Sequence, residues 1–138
     1  MASVSVNWLA VIVTAVISMA VGAAWYSPLL FSKRWMSIMA KDRGEPVTMG
    51  EGVAKLYIIN FVGAFLLAYI LARFVGYRGA ASLGQGALTG IMAWVGFVIT
   101  TSLGGILFER RPFGLYAINN AFHFVTMAIG GAVLAVWR

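Results

Sequence analysis

The stretch NWLAVIVTAVISMAVGAAWYSPLLF, residues 7–31, contains no acidic or basic side chain. At a rise of about 1.5 Å per helical residue, a run of this length can cross the roughly 30 Å hydrocarbon core of a bilayer. No basic segment precedes it, and it is longer than the usual apolar core of a signal peptide. The stretch therefore predicts a retained membrane-spanning helix.

The rest of the chain repeats this pattern. The protein has 138 residues, of which 62% are hydrophobic and only 10% charged, whereas about a quarter of the residues in a soluble domain are charged. Further apolar runs cover about residues 53–74, 83–108 and 113–137, and a polar loop at 32–52 separates the first two spans. We predict one all-α domain over residues 1–138, a polytopic transmembrane four-helix bundle.

The basic residues give an orientation. Seven of the ten lie in or beside the first and third loops: Lys33, Arg34, Lys41, Arg43, Lys55, Arg110 and Arg111. Because cytoplasmic loops are enriched in Lys and Arg, both loops are predicted to be cytoplasmic and both termini to lie outside the cytoplasm. The protein is expected in the cell (inner) membrane. The net charge of +6 then indicates contact with membrane lipids, and no nucleic-acid partner is expected.

Several chemistries are disfavoured by composition. The chain has no cysteine and one histidine, which removes thiol chemistry and leaves one protomer without a multi-histidine metal centre. Ser27 precedes Pro28 and lacks the glycines of a nucleophile elbow. No metal or other cofactor is expected, and no catalytic residue can be assigned.

Polar side chains gather toward the cytoplasmic half of the predicted bundle. Asn119 and His123 are one helical turn apart on the same face, with His123 about 15 Å into the fourth span. Lipid offers such groups no partners, so they must face protein or water. Including polar and aromatic groups on the other spans and at the third loop, the candidate ligand-binding residues are Trp25, Tyr26, Asn60, Glu109, Arg110, Asn119 and His123.

A purely structural role for these residues is the alternative. Asparagine and histidine side chains join transmembrane helices by hydrogen bonds of about 0.6 to 2 kcal/mol. In that case Glu109 pairs with Arg110 or Arg111 within the loop, and Asn120 is directed at a neighbouring helix. Small residues spaced four apart predict close helix packing, either within the bundle or between copies in a homo-oligomer, at Ser18 and Gly22, Gly86 and Gly90, and Thr126 and Gly130.

Three motifs carry a family likeness: NWLAVIVTAVISMAVGAAWYSPLLFSKRWM near the start, then WVGF, then LFERRPFGLYAINNAFHFV. The chain resembles the small bacterial four-span proteins of the domain-of-unknown-function 1761 family over nearly its whole length. The resemblance places signature positions on Asn7, Trp8, Gly22, Trp25, Tyr26, Ser27, Pro28, Trp94, Pro112, Asn119 and His123. Where the family pattern has Gly-Tyr-His this chain has Ala121, Phe122 and His123, so that tyrosine hydroxyl is absent or supplied elsewhere, for example by Tyr26. The resemblance implies no activity.

Three functions stay open at this point. The favoured one is binding of a lipid or small amphipathic ligand in a cytoplasm-facing polar pocket. The second is a small oligomeric transporter or channel. The first span lacks the carboxylate that small multidrug exporters use, so His123 would have to exchange the protons instead, near its ordinary pKa of about 6.5. The third is a membrane enzyme acting on a lipidic or quinone-like substrate, for which the available nucleophile and acid–base groups are His123, Glu109, Tyr26, Ser27 and the arginines.

Overall fold

The computed structural model describes residues 4–44 and 53–137, and all the regular structure in this part of the chain is helical. The helices are α1 (Trp8–Trp25), α2 (Ser32–Arg43), α3 (Val53–Arg78), α4 (Leu83–Leu107) and α5 (Phe113–Val136). All except α2 are long and apolar enough to cross a membrane. The prediction of an all-α transmembrane four-helix bundle is confirmed.

Helix α1 is shorter than the apolar run that encodes it. Asn7 caps its start, because the side-chain oxygen accepts hydrogen bonds from the backbone N–H groups of Leu9 and Ala10 at 3.0 and 3.2 Å. The helix ends at Trp25 although the apolar run continues to residue 31. Proline disfavours the helical conformation of the residue before it, so Pro28 stops the helix by restricting Ser27.

The segment 32–52, treated above as a polar loop, begins with a helix. Helix α2 ends at Gly44, whose positive φ of 76° is the left-handed conformation that glycine adopts at little cost. Trp35 packs edge-on against Tyr26 with ring centroids 5.6 Å apart, and Ile38 lies against Gly114 at the start of α5. Helix α2 thus covers one end of the bundle. The remainder of the predicted loop, residues 45–52, lies outside the described residues.

A tight turn joins α3 to α4. Helix α3 continues to Arg78, four residues beyond its apolar run. Gly79 then adopts a φ of 70°, and the N–H groups of Gly79 and Ala80 donate to the carbonyls of Gly76 and Val75 at 3.0 and 3.1 Å. This pairing closes the end of α3 and reverses the chain.

Helices α4 and α5 are in backbone contact in the half of the bundle near this turn. A Cβ added to Gly86 would lie 2.1 Å from the carbonyl oxygen of Gly131, and one added to Gly90 would lie 1.9 Å from that of Met127. The absence of side chains allows the approach, as expected for small residues in membrane helices. The bundle's buried apolar core, which includes Val11, lies in the same half.

Helix α4 changes its winding halfway along. Residues Trp94–Ile99 form a π-helical segment, and the hydroxyls of Thr100 and Ser102 donate back to the carbonyls of Gly96 and Val98, both at 2.6 Å. A π-helical turn holds more residues than an α-helical one, so it rotates the faces of the helix that follow it. The part of α4 before the segment packs against α5, and the part after it borders a cavity.

Candidate ligand-binding site

A cavity of about 460 Å³ separates the last half of α4 from the first half of α5. Its volume lies in the range of small-molecule sites. The lining residues are Phe97, Val98, Thr101, Ser102, Gly105, Ile106, Glu109, Arg111, Leu115, Tyr116, Asn119, Asn120 and His123. Polar side chains therefore share the walls with apolar ones, at a level of the bundle that the sequence places within the membrane.

The polar wall is built by successive turns of α5. Asn119 and Asn120 follow Tyr116 at three and four residues and His123 follows it at seven, which puts the four side chains on one helical face. Asn120 is only 5% exposed, and its side-chain oxygen is a second, longer acceptor for the Ser102 hydroxyl at 3.3 Å, beside the carbonyl of Val98 at 2.6 Å. Asn120 thus bonds to the neighbouring helix, as expected, and it also lines the cavity.

Two tryptophans hold α5 at the level of these asparagines. The indole N–H of Trp25, at the end of α1, donates to the backbone oxygen of Ile118 at 3.1 Å. The indole N–H of Trp94, in the π-helical segment of α4, donates to the backbone oxygen of Asn120 at 2.9 Å. Buried indoles require a hydrogen-bond acceptor, and both find one on α5. These bonds fix the position of the polar face relative to two neighbouring helices.

Tyr26 orients Asn119. Its hydroxyl donates to the side-chain oxygen of Asn119 at 2.6 Å, from just beyond the end of the first span. Burial raises the pKa of Tyr26 to about 12, which keeps the phenol protonated and able to donate. The side-chain oxygen of Asn119 already accepts a hydrogen bond from Tyr26. The amide N–H₂ group of Asn119 remains to donate a hydrogen bond to a ligand. The Tyr26 ring also lies 5.7 Å from that of Phe122.

An ion pair stands where the cavity meets the α4–α5 loop. Nε of Arg111 lies 2.7 Å from Oε2 of Glu109, with both side chains about 60% exposed. Arg110, the arginine named from sequence, is not part of the lining. It adopts a φ of 56°, and this left-handed residue turns the loop so that Arg111, rather than Arg110, is brought to Glu109.

The seven candidate residues are thus divided by the fold. Glu109, Asn119 and His123 line the cavity, and Tyr26 and Trp25 contact α5 without lining it. Asn60 lies between α3 and α1, where its amide N–H₂ group is 3.4 Å from the sulfur of Met19. The packing of α3 against α1 decides the direction in which Asn60 faces. The prediction used only the depth of Asn60 along the span, which does not give that direction.

Five polar lining residues were not among the candidates: Thr101, Ser102, Arg111, Tyr116 and Asn120. Ser102 belongs to a run of three hydroxyl residues, Thr100–Ser102, which is a visible signal of polarity within a span. The π-helical segment that turns this run toward α5 has no comparable sequence signal. Within the described residues, no three His, Cys, Asp or Glu side chains gather as a metal site would need.

Four apolar helices around a core, with a polar cavity between two of them, define a small multi-pass helical membrane protein. The chain belongs to the family described as "Protein of unknown function (DUF1761)", whose model matches residues 9–135. The resemblance drawn from the sequence motifs is thereby confirmed. No curated protein and no solved structure matches the chain.

Proposed function

We propose that the protein binds a small amphipathic molecule, such as a lipid, in the cavity between α4 and α5. The observation that carries this proposal is the composition of the walls. The polar group of the ligand would meet Asn119, Asn120 and His123, and its apolar part would lie along Phe97, Ile106 and Leu115. Pockets for small molecules typically combine a few polar groups with apolar surface in this way.

The direction of entry follows from charge. The exposed Glu109–Arg111 pair stands at one end of the cavity, and the basic residues near the start of α2 lie at the same end of the bundle. If that end faces the cytoplasm, as the positive-inside rule predicts, a ligand enters from the cytoplasmic side or its leaflet. A charged or polar headgroup at this level would exchange its water for the hydrogen bonds of the cavity wall.

Binding is better supported than conduction. Beyond the cavity, α4 and α5 approach so closely at Gly86, Gly90 and Gly131 that no Cβ fits between them. A pore between these two helices would require that contact to open. A site that is polar at one end and closed at the other favours a bound molecule over a continuous path for ions.

A homo-oligomer is part of this proposal. Among the described residues, those that line the cavity come from α4, α5 and the loop between them, so α1 and α3 leave one side of it uncovered. Polar side chains facing hydrocarbon have no partners. A second copy of the chain is the occupant that would close this side and complete the site.

Native mass spectrometry of protein released from mild detergent tests both parts. We expect a dimer or higher oligomer that retains a stoichiometric small mass, and we expect the His123→Ala variant to lose that mass. Ile129→Ala is the matched control, since it truncates an exposed apolar side chain on the same helix away from the cavity.

The same experiment separates a binding role for His123 from a structural one. If His123→Ala fails to fold and His123→Gln restores both folding and the retained mass, the role of His123 is structural: it joins two helices by hydrogen bonds. If neither wild type nor any folded variant retains a molecule across several extraction conditions, the ligand-binding proposal is contradicted.

A further inference from the structure

A second cavity system runs along the outside of the bundle between α3 and α4, and it shares Phe97 and Val98 with the cavity between α4 and α5. Two adjoining cavities of about 470 and 380 Å³ share Phe74, Ala93 and Phe97 as lining residues, so they form one continuous groove, here called the α3–α4 groove. It begins at Tyr77, Arg78 and Thr89, close to the tight turn. It lies on a different pair of helices from the site proposed above.

The dimensions of the groove match one leaflet of a bilayer. Along α3 its lining extends from Leu66 to Arg78, which at 1.5 Å per residue is about 18 Å. Half of a hydrocarbon core of about 30 Å is roughly 15 Å. The inner part of the groove is wholly apolar, since its walls include Leu66, Ile70 and Met127 but no polar residue. This is the surface that an acyl chain requires.

The outer end carries positive charge in a fixed position. One guanidinium nitrogen of Arg78, Nη1, donates to the hydroxyl of the buried Thr89 at 2.9 Å and to the backbone oxygen of Gln85 at 3.3 Å. Within the described part of the chain, both of these bonds use Nη1, which leaves Nε and Nη2 to bind another acceptor. A guanidinium held in this way loses little freedom when it binds an anion.

Tyr77 adds a hydroxyl beside Arg78. Its oxygen accepts a hydrogen bond from Nη2 of Arg73 at 2.7 Å, so its own proton can be donated outward. Arg73 adds a second positive charge one turn along α3. The sequence has no acidic residue between positions 52 and 108 to neutralise either arginine from the same pair of helices. The end of the groove therefore attracts an anion.

We infer that the α3–α4 groove binds one anionic phospholipid, with an acyl chain against Phe74, Ala93 and Phe97 and the phosphate at Arg78 and Tyr77. Arginine and phosphate form charge-assisted hydrogen bonds in matched geometry. Selectivity over zwitterionic lipids comes from the rest of the headgroup, because α3 and α4 offer Arg73 and Arg78 but no acidic residue to pair with a choline ammonium. With the orientation predicted from the loops, this lipid comes from the leaflet opposite to the cytoplasmic one.

The test is a competition followed by native mass spectrometry. Delipidated protein is mixed with equal amounts of phosphatidylglycerol and phosphatidylcholine that carry the same acyl chains. We expect one retained phosphatidylglycerol per chain, with a preference on the order of tenfold over phosphatidylcholine. Arg78→Gln should abolish the preference, whereas Arg34→Gln, which removes an exposed charge at the other end of the bundle, should preserve it.

A steric variant tests the acyl-chain part independently of charge. Ala93→Leu fills the groove where its two cavities join and should reduce lipid retention severalfold, while Ala54→Leu, at an exposed position outside the groove, should leave it unchanged. If Arg78→Gln fails to fold, the lipid preference of the wild type and the lipid retention of Ala93→Leu still test whether the groove binds an anionic lipid.

Three outcomes would overturn the inference: equal retention of the two lipids by wild type, an unchanged preference in folded Arg78→Gln, or unchanged retention in Ala93→Leu. An oligomer that dissociates on Ala93→Leu without any lipid preference would show that a second copy of the chain occupies the groove instead. Because the variants differ from those at His123, failure here and failure of the proposed ligand site are distinguishable.

Discussion

The contact between α4 and α5 gives a sharp quantitative prediction through Gly90→Ala. The added Cβ would lie 1.9 Å from the carbonyl oxygen of Met127 and 2.6 Å from its carbon. Non-bonded heavy atoms attract best at about 3.5 to 4.0 Å, so the two helices must separate by roughly 1 Å or more. A gap of about 1 Å forfeits about half of the dispersion energy of the contacts along the seam.

A matched glycine on the same helix calibrates the cost. Gly84 has no atom within 4 Å of an added Cβ, so Gly84→Ala gains only helix propensity, up to about 1 kcal/mol. Overpacking at Gly90 costs about 1 to 3 kcal/mol. Gly90→Ala gains the same helix propensity, so overpacking alone separates the two variants. We therefore expect Gly90→Ala to have a free energy of unfolding about 1 to 3 kcal/mol below that of Gly84→Ala.

The assay is equilibrium unfolding in mixed micelles with increasing sodium dodecyl sulfate, followed by far-UV circular dichroism. Both variants are measured beside wild type in the same detergent, so that the difference between them does not depend on the extrapolation. Free energies of unfolding equal within about 0.5 kcal/mol would refute the close packing of α4 on α5 at this level, and with it the argument that the cavity is closed on that side.

Two further predictions concern buried hydroxyls. Thr14 has a buried hydroxyl with no hydrogen-bond partner among the described residues, so Thr14→Val should raise the free energy of unfolding by about 1 kcal/mol in the same titration; a decrease would indicate an unrecognised partner. The pKa of Tyr26, raised to about 12 from an ordinary value of about 10, means that folding favours the neutral phenol. Its contribution is complete below pH 10 and is lost as the pH rises through 12, so thermal stability should fall over that window in wild type and less in Tyr26→Phe. Equal losses in the two proteins would contradict the desolvation of the Tyr26 hydroxyl.

The helices were predictable from sequence because lipid imposes a simple requirement. A span must be apolar and helical along its whole length, which the apolar runs show directly. Their ends were less predictable. An apolar run does not distinguish a helix from the irregular backbone that Pro28 imposes, and Arg78 continues α3 because its long side chain reaches Thr89 across the turn.

The candidate site was predictable where it depends on one helix and not where it depends on two. Asn119 and His123 share a face because of the helical repeat alone. The contribution of Ser102 depends on the π-helical segment Trp94–Ile99, which rotates the end of α4. Arg111, and not the predicted Arg110, pairs with Glu109 because of a single left-handed residue in the loop, Arg110 itself. Such local departures from regular geometry have no periodic signal in the sequence.

The proposed binding site requires a water-accessible cavity that enters the membrane between α4 and α5. The chain has no cysteine, so single-cysteine variants can be labelled with a charged, membrane-impermeant thiol reagent in sealed vesicles of known orientation. Ser102 lies about 10 Å along α4 from Glu109 and lines the cavity, whereas Leu71 is buried in the core. We predict that Glu109→Cys and Ser102→Cys both react from the cytoplasmic side and that Leu71→Cys does not. An unreactive Ser102→Cys, under conditions that modify Glu109→Cys, would show that water does not reach Ser102 and would contradict the proposed cavity.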